Sequence, residues 1–378
     1  MRVLLDVSAV PGRPVGAGVY TIAIAAGLAA RDDVELHLLT RRHDGDRWRV
    51  LAPRAAIISR VPDRRPSRLV WEQTGAASVA RSVRPDVWHG PHYTLPLRID
   101  VPTAVTVHDL TFFDHPDWHE RTKVLYFRRM IAAAVERASV VICVSAFTAE
   151  RLRARLDPDC EIVVVPHGVD HARFAPAGDT GVARELEDLA AHGVTPPYVA
   201  FAGTIEPRKD VPTLVQAFAR VAATRPDLRL VLAGNDGWGS AATRAAIAAS
   251  GAVTRIVRPG YLDDDTLAAL FRHAAAVAYP SLEEGFGLPA LEALACGTPL
   301  VTTLGSALEE IAGDAALLVP PRDAGALAAA IASLLDDREL AARLRAAGPR
   351  RAGTFTWDRA VEGHVDAYHR AAPVSLSA

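Results

Sequence analysis

The sequence predicts an α/β protein of two units, each a doubly wound parallel sheet wrapped by helices. Three observations predict it. Short apolar runs alternate with longer amphipathic stretches from one end to the other. The chain has 378 residues, too long for one ordinary domain. The alternation is interrupted over residues 171–196, where polar residues with interspersed Gly and Pro read as a connection carrying a short helix.

Taken in order, Val3-Leu4-Leu5-Asp6-Val7 reads as a buried parallel strand, because parallel strands are covered on both faces and need not alternate. Gly16-Ala17-Gly18-Val19-Tyr20 then opens a helix to about Ala30. Further strands are expected at Val34–Leu39, Ala55–Ser59, Asp86–His89, Thr103–Val107, Val140–Val144 and Ile162–Val165. Amphipathic helices fill the gaps, notably Glu120–Ala138 and Ala146–Leu156, the latter capped by Ser145. Pro166-His167-Gly168-Val169-Asp170 closes the first unit, drawn as residues 1–176. The second, 177–355, has strands at Tyr198–Gly203, Leu228–Ala233, Thr254–Val257, Ala275–Tyr279, Pro299–Thr302 and Ala316–Val319. Its helices include Val211–Ala223, Ala324–Leu335 and Arg338–Ala352. Phe355-Thr356-Trp357 starts a last helix, ending near Arg370, and the tail 373–378 is expected to be disordered.

Composition excludes several classes. Half the residues are hydrophobic, enough for large cores, and a net charge of −2 argues against a nucleic-acid binder. No apolar run reaches membrane-spanning length. The N-terminus enters a strand at once, unlike a signal peptide. Cys143, Cys160 and Cys296 lack metal spacing and read as reduced residues of a cytoplasmic protein. Charge is uneven. Residues 1–176 carry 24 Lys+Arg against 20 Asp+Glu, and the stretch Arg41–Arg68 alone has nine Arg and three Asp. A solvated, loop-rich face explains that stretch best; attraction to an anionic acceptor or a membrane surface is the functional alternative.

Chemistry concentrates at strand ends. After the strand at Ala275–Tyr279 comes Pro280-Ser-Leu-Glu-Glu284-Gly-Phe286-Gly287-Leu288-Pro289-Ala-Leu-Glu292, with Gly297 as a helix stop. The string puts Glu284 in a loop and Glu292 one turn into a helix. Glycines there let a ligand approach the backbone, and the helix start offers free N–H groups. Two surface glutamates on a solvated turn would be the bland alternative. Glu206-Pro207-Arg208-Lys209-Asp210 follows another strand and precedes a helix. Adjacent Arg and Lys suit a diphosphate, one as a fork and one as a point charge; a surface pair bridged to Glu206 or Asp210 is the alternative. Gly16 and Gly18 fail the dinucleotide fingerprint, since Thr21 stands where its third glycine belongs. Two glycines at a helix start still suit one phosphate or sugar group. His108 and Asp109 end a buried strand. His89, His92 and Tyr93 sit at another strand exit, equally readable as acceptor lining or as structure. Asp263-Asp264-Asp265 contains D-x-D, a divalent-ion spacing, but the helical run after it makes these acids a cap.

Glu284 to Glu292 has the E-x7-E form of retaining GT-B glycosyltransferases and resembles glycosyltransferase family 4 (group 1). E-P-R-K, G-x-G-x-Y and H-D resemble other segments of that family, and the likeness spans nearly the whole chain. It implies a GT-B fold, with two Rossmann-like domains facing across a cleft, the first (1–176) binding the acceptor and the second (177–355) the nucleotide sugar, and residues 356–372 returning to the first. It also implies roles. Arg208 and Lys209 would hold the donor diphosphate, with Gly16 and Gly18 opposite. Glu284, Phe286, Gly287 and Leu288 would line the donor sugar and phosphates, and Glu292 would meet the ribose. Gly260, Tyr261 and Leu262 would meet the base through main-chain groups. His108 would contact the transferred sugar, with Asp109 orienting it. The implied activity is metal-independent, retaining hexosyl transfer from a nucleotide-diphosphate sugar to a glycan or lipid-linked hydroxyl, in polysaccharide biosynthesis. There is no resident cofactor. The first unit resembles that of bacterial mannosyltransferases, which favours GDP-mannose over a UDP-sugar. A cytoplasmic site, with peripheral membrane contact, follows from the same likeness. The rivals are a UDP-sugar 2-epimerase of the same fold and a non-catalytic nucleotide-sugar binder.

Overall fold

The computed structural model describes residues 1–178 and 181–372; the expected tail, 373–378, lies outside the described residues. The chain starts with β1 (Arg2–Asp6), α1 (Ala17–Ala30), β2 (Glu35–Arg41), α2 (Gly45–Leu51), β3 (Ala56–Val61), α3 (Arg65–Thr74) and α4 (Ala76–Val83). Next come β4 (Val87–Gly90), β5 (Thr103–Val107), α5 (Thr111–Asp114), α6 (Arg121–Arg137), β6 (Val140–Cys143), α7 (Ala146–Leu156) and β7 (Glu161–Val164). After these follow α8 (Val182–Ala191), β8 (Tyr198–Ala202), α9 (Val211–Ala222), β9 (Arg229–Ala233), α10 (Ala241–Ala249), β10 (Ile256–Gly260) and α11 (Asp264–Arg272). The chain ends with β11 (Ala276–Tyr279), α12 (Leu288–Ala295), β12 (Leu300–Thr303), α13 (Ala307–Ala312), β13 (Ala316–Val319), α14 (Ala324–Asp336), α15 (Arg338–Ala352) and α16 (Trp357–Ala371).

The chain divides into two compact units. Unit 1 holds residues 1–114, 121–168 and the C-terminal residues from Trp357; unit 2 holds 115–120 and 169–356. Unit 1 has a seven-stranded sheet in the order β3-β2-β1-β4-β5-β6-β7, and unit 2 a six-stranded sheet in the order β10-β9-β8-β11-β12-β13. Every strand pair is parallel. Each order reverses direction once, between β1 and β4 and between β8 and β11. Loops at the carboxyl ends of those strands splay apart there, which is where open α/β sheets bind ligands.

Unit 1 buries both faces of its sheet, so its strands are apolar at successive positions. Val3 and Leu5 of β1 join one core with Ile24 and Leu28 of α1, while Leu4 joins the other with Ile131 and Val135 of α6. The first core also takes Val361, Val365 and Tyr368 of α16. Each such side chain contributes roughly 1.5–3 kcal/mol by burial. The seam between α1 and α16 is close: a Cβ at Gly27 would lie 2.4 Å from Val361 Cγ2. Gly27→Ala would therefore push the two helices apart. In unit 2, α9 buries Val211, Leu214, Val215 and Phe218 completely, the helical spacing of one apolar stripe.

Two expectations need correction. Residues 41–68 are not a loop-rich face, because α2, β3 and the start of α3 lie within them. Fully buried Trp48 anchors α2, an apolar signal outweighed by the surrounding arginines. The strand expected at Thr254–Val257 instead runs from Ile256 to Gly260, with a register shift between Val257 and Gly260 and a 3₁₀ turn at Val253–Arg255. Arg258 and Gly260 thus lie in β10 itself. Among the described residues no helix is long and apolar enough to cross a membrane.

Candidate functional site

In unit 2 the loops after β8 and β11 are neighbours because those strands pair. Arg208 and Lys209 sit on a 3₁₀ turn, Pro207–Lys209, just before α9. Glu284 follows β11. Lys209 Nζ donates to Glu284 Oε1 at 2.5 Å and also to the Tyr279 hydroxyl. Tyr279 in turn donates to Glu284 Oε1 at 3.2 Å. Arg208 pairs with Glu284 Oε2, pairs with Glu206 at 2.9 Å and donates to the Glu283 carbonyl at 3.0 Å. The two cations and the first glutamate of E-x7-E therefore form one buried cluster. Burial pushes the Glu284 carboxyl up, but the charges of Arg208 and Lys209 overcome it and hold the group down at about 2. Burial also lowers the Lys209 ammonium from its ordinary value, with Glu284 opposing that shift.

Glu292 differs. It lies on α12, one turn in, and its carboxylate makes no hydrogen bond or ion pair among the described residues. Burial, then the charge of Asp264, push it up to about 8. Gly287 caps α12 at φ 103°, and a Cβ there would meet Leu308 Cδ2 at 2.5 Å, so any other residue is strained. Phe286 and Leu288 flank it, both buried. Gly260 ends β10, its carbonyl accepting from Gly234 N at 2.7 Å, and Tyr261 and Leu262 follow. Asp263 caps α11 by accepting from Thr266 N at 2.9 Å, while Asp264 and Asp265 pair with Arg173.

His115 carries no signal in the sequence. Residues 115–120 belong to unit 2, and His115 Nε2 lies 3.3 Å from Glu283 while its ring stacks on Trp118. Tyr279 was also missed, although its place at the end of β11 was a signal.

In unit 1, Gly16 caps α1 at φ 47° with open space around it, and Gly18 lies in the first turn. Tyr20 points inward and is fully buried. His108, at the exit of β5, is buried; its Nε2 lies 2.9 Å from the Pro91 carbonyl. A carbonyl only accepts, so Nε2 carries the proton and, in the neutral ring, Nδ1 is the acceptor. Burial lowers the His108 pKa, the Pro91 bond and the Asp109 charge opposing. Asp109 does not orient the ring by a hydrogen bond: its Oδ1 accepts from Thr111 N and Oγ1 at the start of α5.

His89 is structural, part of a buried chain the sequence did not suggest. His364 Nδ1 lies 2.6 Å from the Ala360 carbonyl, so Nδ1 is the donor. With burial holding His364 neutral, down at about 4, its Nε2 must accept from Tyr20 Oη at 2.7 Å. Tyr20 then has no proton left for Thr106, so Thr106 Oγ1 donates to Tyr20 at 2.8 Å. Thr106 in turn accepts from His89 Nε2 at 2.8 Å, and His89 Nδ1 accepts from Tyr368 Oη at 2.8 Å. Every proton in the chain has one direction. The chain ties the tyrosine of the glycine loop to β4, β5 and α16, and Tyr20 packs edge-on against His108 at 5.1 Å between ring centroids.

Residues 185–351 match the family described as Glycosyl transferases group 1, and residues 14–173 match Glycosyltransferase Family 4. The chain is 31% identical over 307 residues to O-antigen chain mannosyltransferase B of Escherichia coli, spanning 80% of this chain and 77% of that protein. It is 32% identical over 393 aligned positions to D-inositol 3-phosphate glycosyltransferase of Acidothermus cellulolyticus, spanning 94% and 86%. Sucrose-phosphate synthase from Thermosynechococcus elongatus superposes with a TM-score of 0.77 at 22% identity, covering 98% of each chain. The chain therefore belongs to the group 1 glycosyltransferases of family 4, and its fold is GT-B.

Proposed function

We propose that the protein is a metal-independent, retaining hexosyltransferase that moves mannose from GDP-mannose to a hydroxyl of a glycan or lipid-linked acceptor. One observation carries the reading: Arg208, Lys209 and Glu284 converge at the switch point of the unit 2 sheet, with Glu292, one turn into the next helix, lacking a partner among the described residues. The cations suit a diphosphate leaving group, whose charge grows as the glycosidic bond breaks. The acceptor oxygen bonds to the anomeric carbon as the bond to the diphosphate breaks. Its proton passes to the departing phosphate oxygen, giving the nucleoside diphosphate and a glycoside of unchanged configuration. His108 is assigned to the sugar, Gly16 and Gly18 to a phosphate, and Glu292 to the ribose. Gly260, Tyr261 and Leu262 are assigned to the base. Mannose is favoured by the similarity to a mannosyltransferase. The same reading places the protein in the cytoplasm, with peripheral membrane contact when the acceptor is lipid-linked.

The test is nucleotide release from a panel of GDP- and UDP-sugars, with and without acceptor, in excess EDTA, followed by proton NMR of the product's anomeric signal. Acceptor-dependent GDP release with retained configuration is expected. Release that needs added Mg²⁺ or Mn²⁺ and dies in Asp263→Asn would overturn the metal-free assignment; an inverted anomer would overturn retention.

A further inference from the structure

Packing alone does not call for the chain of neutral hydrogen bonds in unit 1. Tyr20, His89, Thr106, His364 and Tyr368 are all fully buried, and apolar residues of like shape would fill the same space without needing partners. A fully satisfied buried network fixes the orientation of its members. Here the direction is set at one end. His364 lies on α16, and its Nδ1 donates to the Ala360 carbonyl at 2.6 Å, one turn back on the same helix. That bond leaves Nε2 to face the Tyr20 hydroxyl at 2.7 Å.

Tyr20 is where this chain meets the candidate site. Its ring stands edge-on to His108, 5.1 Å between centroids and 80° between planes, and lies 4.7 Å from the His167 ring. Its main-chain N–H donates to the Gly16 carbonyl at 3.1 Å, closing the first turn of α1. One residue therefore touches both the glycine turn and His108. With His364 removed, the Tyr20 hydroxyl loses its acceptor. The rings can stay in place only if every bond reverses, so that Tyr20 donates to Thr106, Thr106 to His89 Nε2, and His89 Nδ1 to Tyr368. That reversal needs the other His89 tautomer and turns the Tyr368 proton away from its acceptor. A buried hydroxyl is left over in either case, and at Tyr20 the cost is relieved by moving the ring.

We propose that His364 is a positioning residue for transfer: by holding the Tyr20 hydroxyl it fixes the ring that packs on His108, and so keeps His108 aligned with the Gly16–Gly18 turn. Helix α16 then serves the alignment of the site as well as the core of unit 1. The inference rests on the assignment of His108 to the sugar. A displacement of about 1 Å in a group that meets the reacting sugar costs about 100-fold in rate, so the effect falls on kcat.

Variants of the full chain test it. His364→Leu removes the acceptor, His364→Gln keeps one at similar reach, and Tyr20→Phe removes the donor. Leu28→Ala, on α1 in the same core and outside the chain of bonds, is the control for a fold that is merely loosened. Circular dichroism melts establish that each variant folds. NMR of histidine-labelled protein reads the rings, with the His108 signals identified by their loss in His108→Gln. Those signals should shift in His364→Leu and Tyr20→Phe, return in His364→Gln and stay in place in Leu28→Ala. Nucleotide release, from whichever GDP- or UDP-sugar the wild type turns over, should show kcat lowered by about 10–100-fold in His364→Leu and Tyr20→Phe. KM for the donor should be unchanged in both, and His364→Gln should stay near wild type. Unmoved His108 signals in a folded His364→Leu would overturn the proposal, whether or not His89 changes tautomer. So would equal losses of kcat in His364→Leu and Leu28→Ala. Should His364→Leu unfold, Tyr20→Phe decides by the same signals. A wild type that turns over no donor would sink the transferase reading, while the NMR signals still decide whether His364 holds His108.

Discussion

The polar interiors of the two units solve the same problem by opposite means. In unit 2 a carboxylate is buried with two cations, and the pairing is ionic. In unit 1 two histidines are buried with two tyrosines and a threonine, and every partner stays neutral. A buried ion needs an opposite ion, so unit 2 gathers residues of contrasting charge on two adjacent loops. A buried neutral ring needs only a donor and an acceptor in the right direction, so unit 1 recruits whatever strand or helix supplies one. The difference explains what a reader of the sequence sees. Glu206, Arg208, Lys209 and Glu284 fall in compact strings after strands. Tyr20 and His364 are 344 positions apart, and Tyr368 and His89 are 279 apart.

Breaking the ionic side gives the largest expected effect. Glu284→Gln leaves Lys209 buried without its anion and Arg208 with Glu206 alone, and should lower the unfolding free energy by roughly 3–5 kcal/mol, measured by urea denaturation. A loss below about 1 kcal/mol would mean that the cluster is solvated and worth no more than a surface pair.

Acid should separate the two sides. His364 ordinarily titrates near 6.5 and is held at about 4 when folded. The unfolded chain therefore takes up its proton first, and the stability from the neutral ring is present above pH 6.5 and lost as pH falls toward 4. Glu284 moves from 4.5 to about 2, so its contribution is present above pH 4.5 and lost as pH falls toward 2. Hydrogen exchange should show β5 of unit 1 losing protection at a higher pH than β11 of unit 2. The reverse order would contradict the neutral and ionic assignments.

Tyr20→Phe cuts the neutral chain in the middle and leaves His364 Nε2 without a donor. It should cost about 1–3 kcal/mol, read as a fall in melting temperature, whereas Tyr368→Phe, at the end of the chain, should cost less. Equal effects would mean the chain acts as separate pairs. Glu292 sharpens the contrast within unit 2. Its folded pKa is raised to about 8 from 4.5, so it weakens the fold as pH rises through that window. Glu292→Gln should therefore raise the melting temperature at pH 8.5 and above while weakening nucleotide binding. A lowered melting temperature would show an attractive partner for the carboxylate.

Fold class was legible throughout. Strand positions rested on apolar runs such as Val140–Val144, and both sheets bury those runs on two faces. Helices with a clean apolar stripe, such as α9, were equally plain. What failed was local: α2 was hidden because arginines surround Trp48, and β10 was misplaced because Pro259 and Gly260 look like a strand exit. At the site, the glutamates and the Arg–Lys pair stood in readable strings, but nothing in those strings says that Glu284 pairs with both cations. Asp109 looked like a partner for His108 by adjacency alone, whereas the Pro91 carbonyl is 17 positions away. Hydrogen-bond direction depends on three-dimensional neighbours, and periodicity carries no trace of it.

The smallest expected effect is also the most direct test that the unit 2 cluster holds the donor. GDP and UDP are titrated by calorimetry into the wild type and Lys209→Ala. One nucleoside diphosphate should bind the wild type, and the variant should bind it about 10-fold more weakly, as one lost charged hydrogen bond predicts. Unchanged affinity in a folded variant would contradict the assignment of the cluster to the diphosphate.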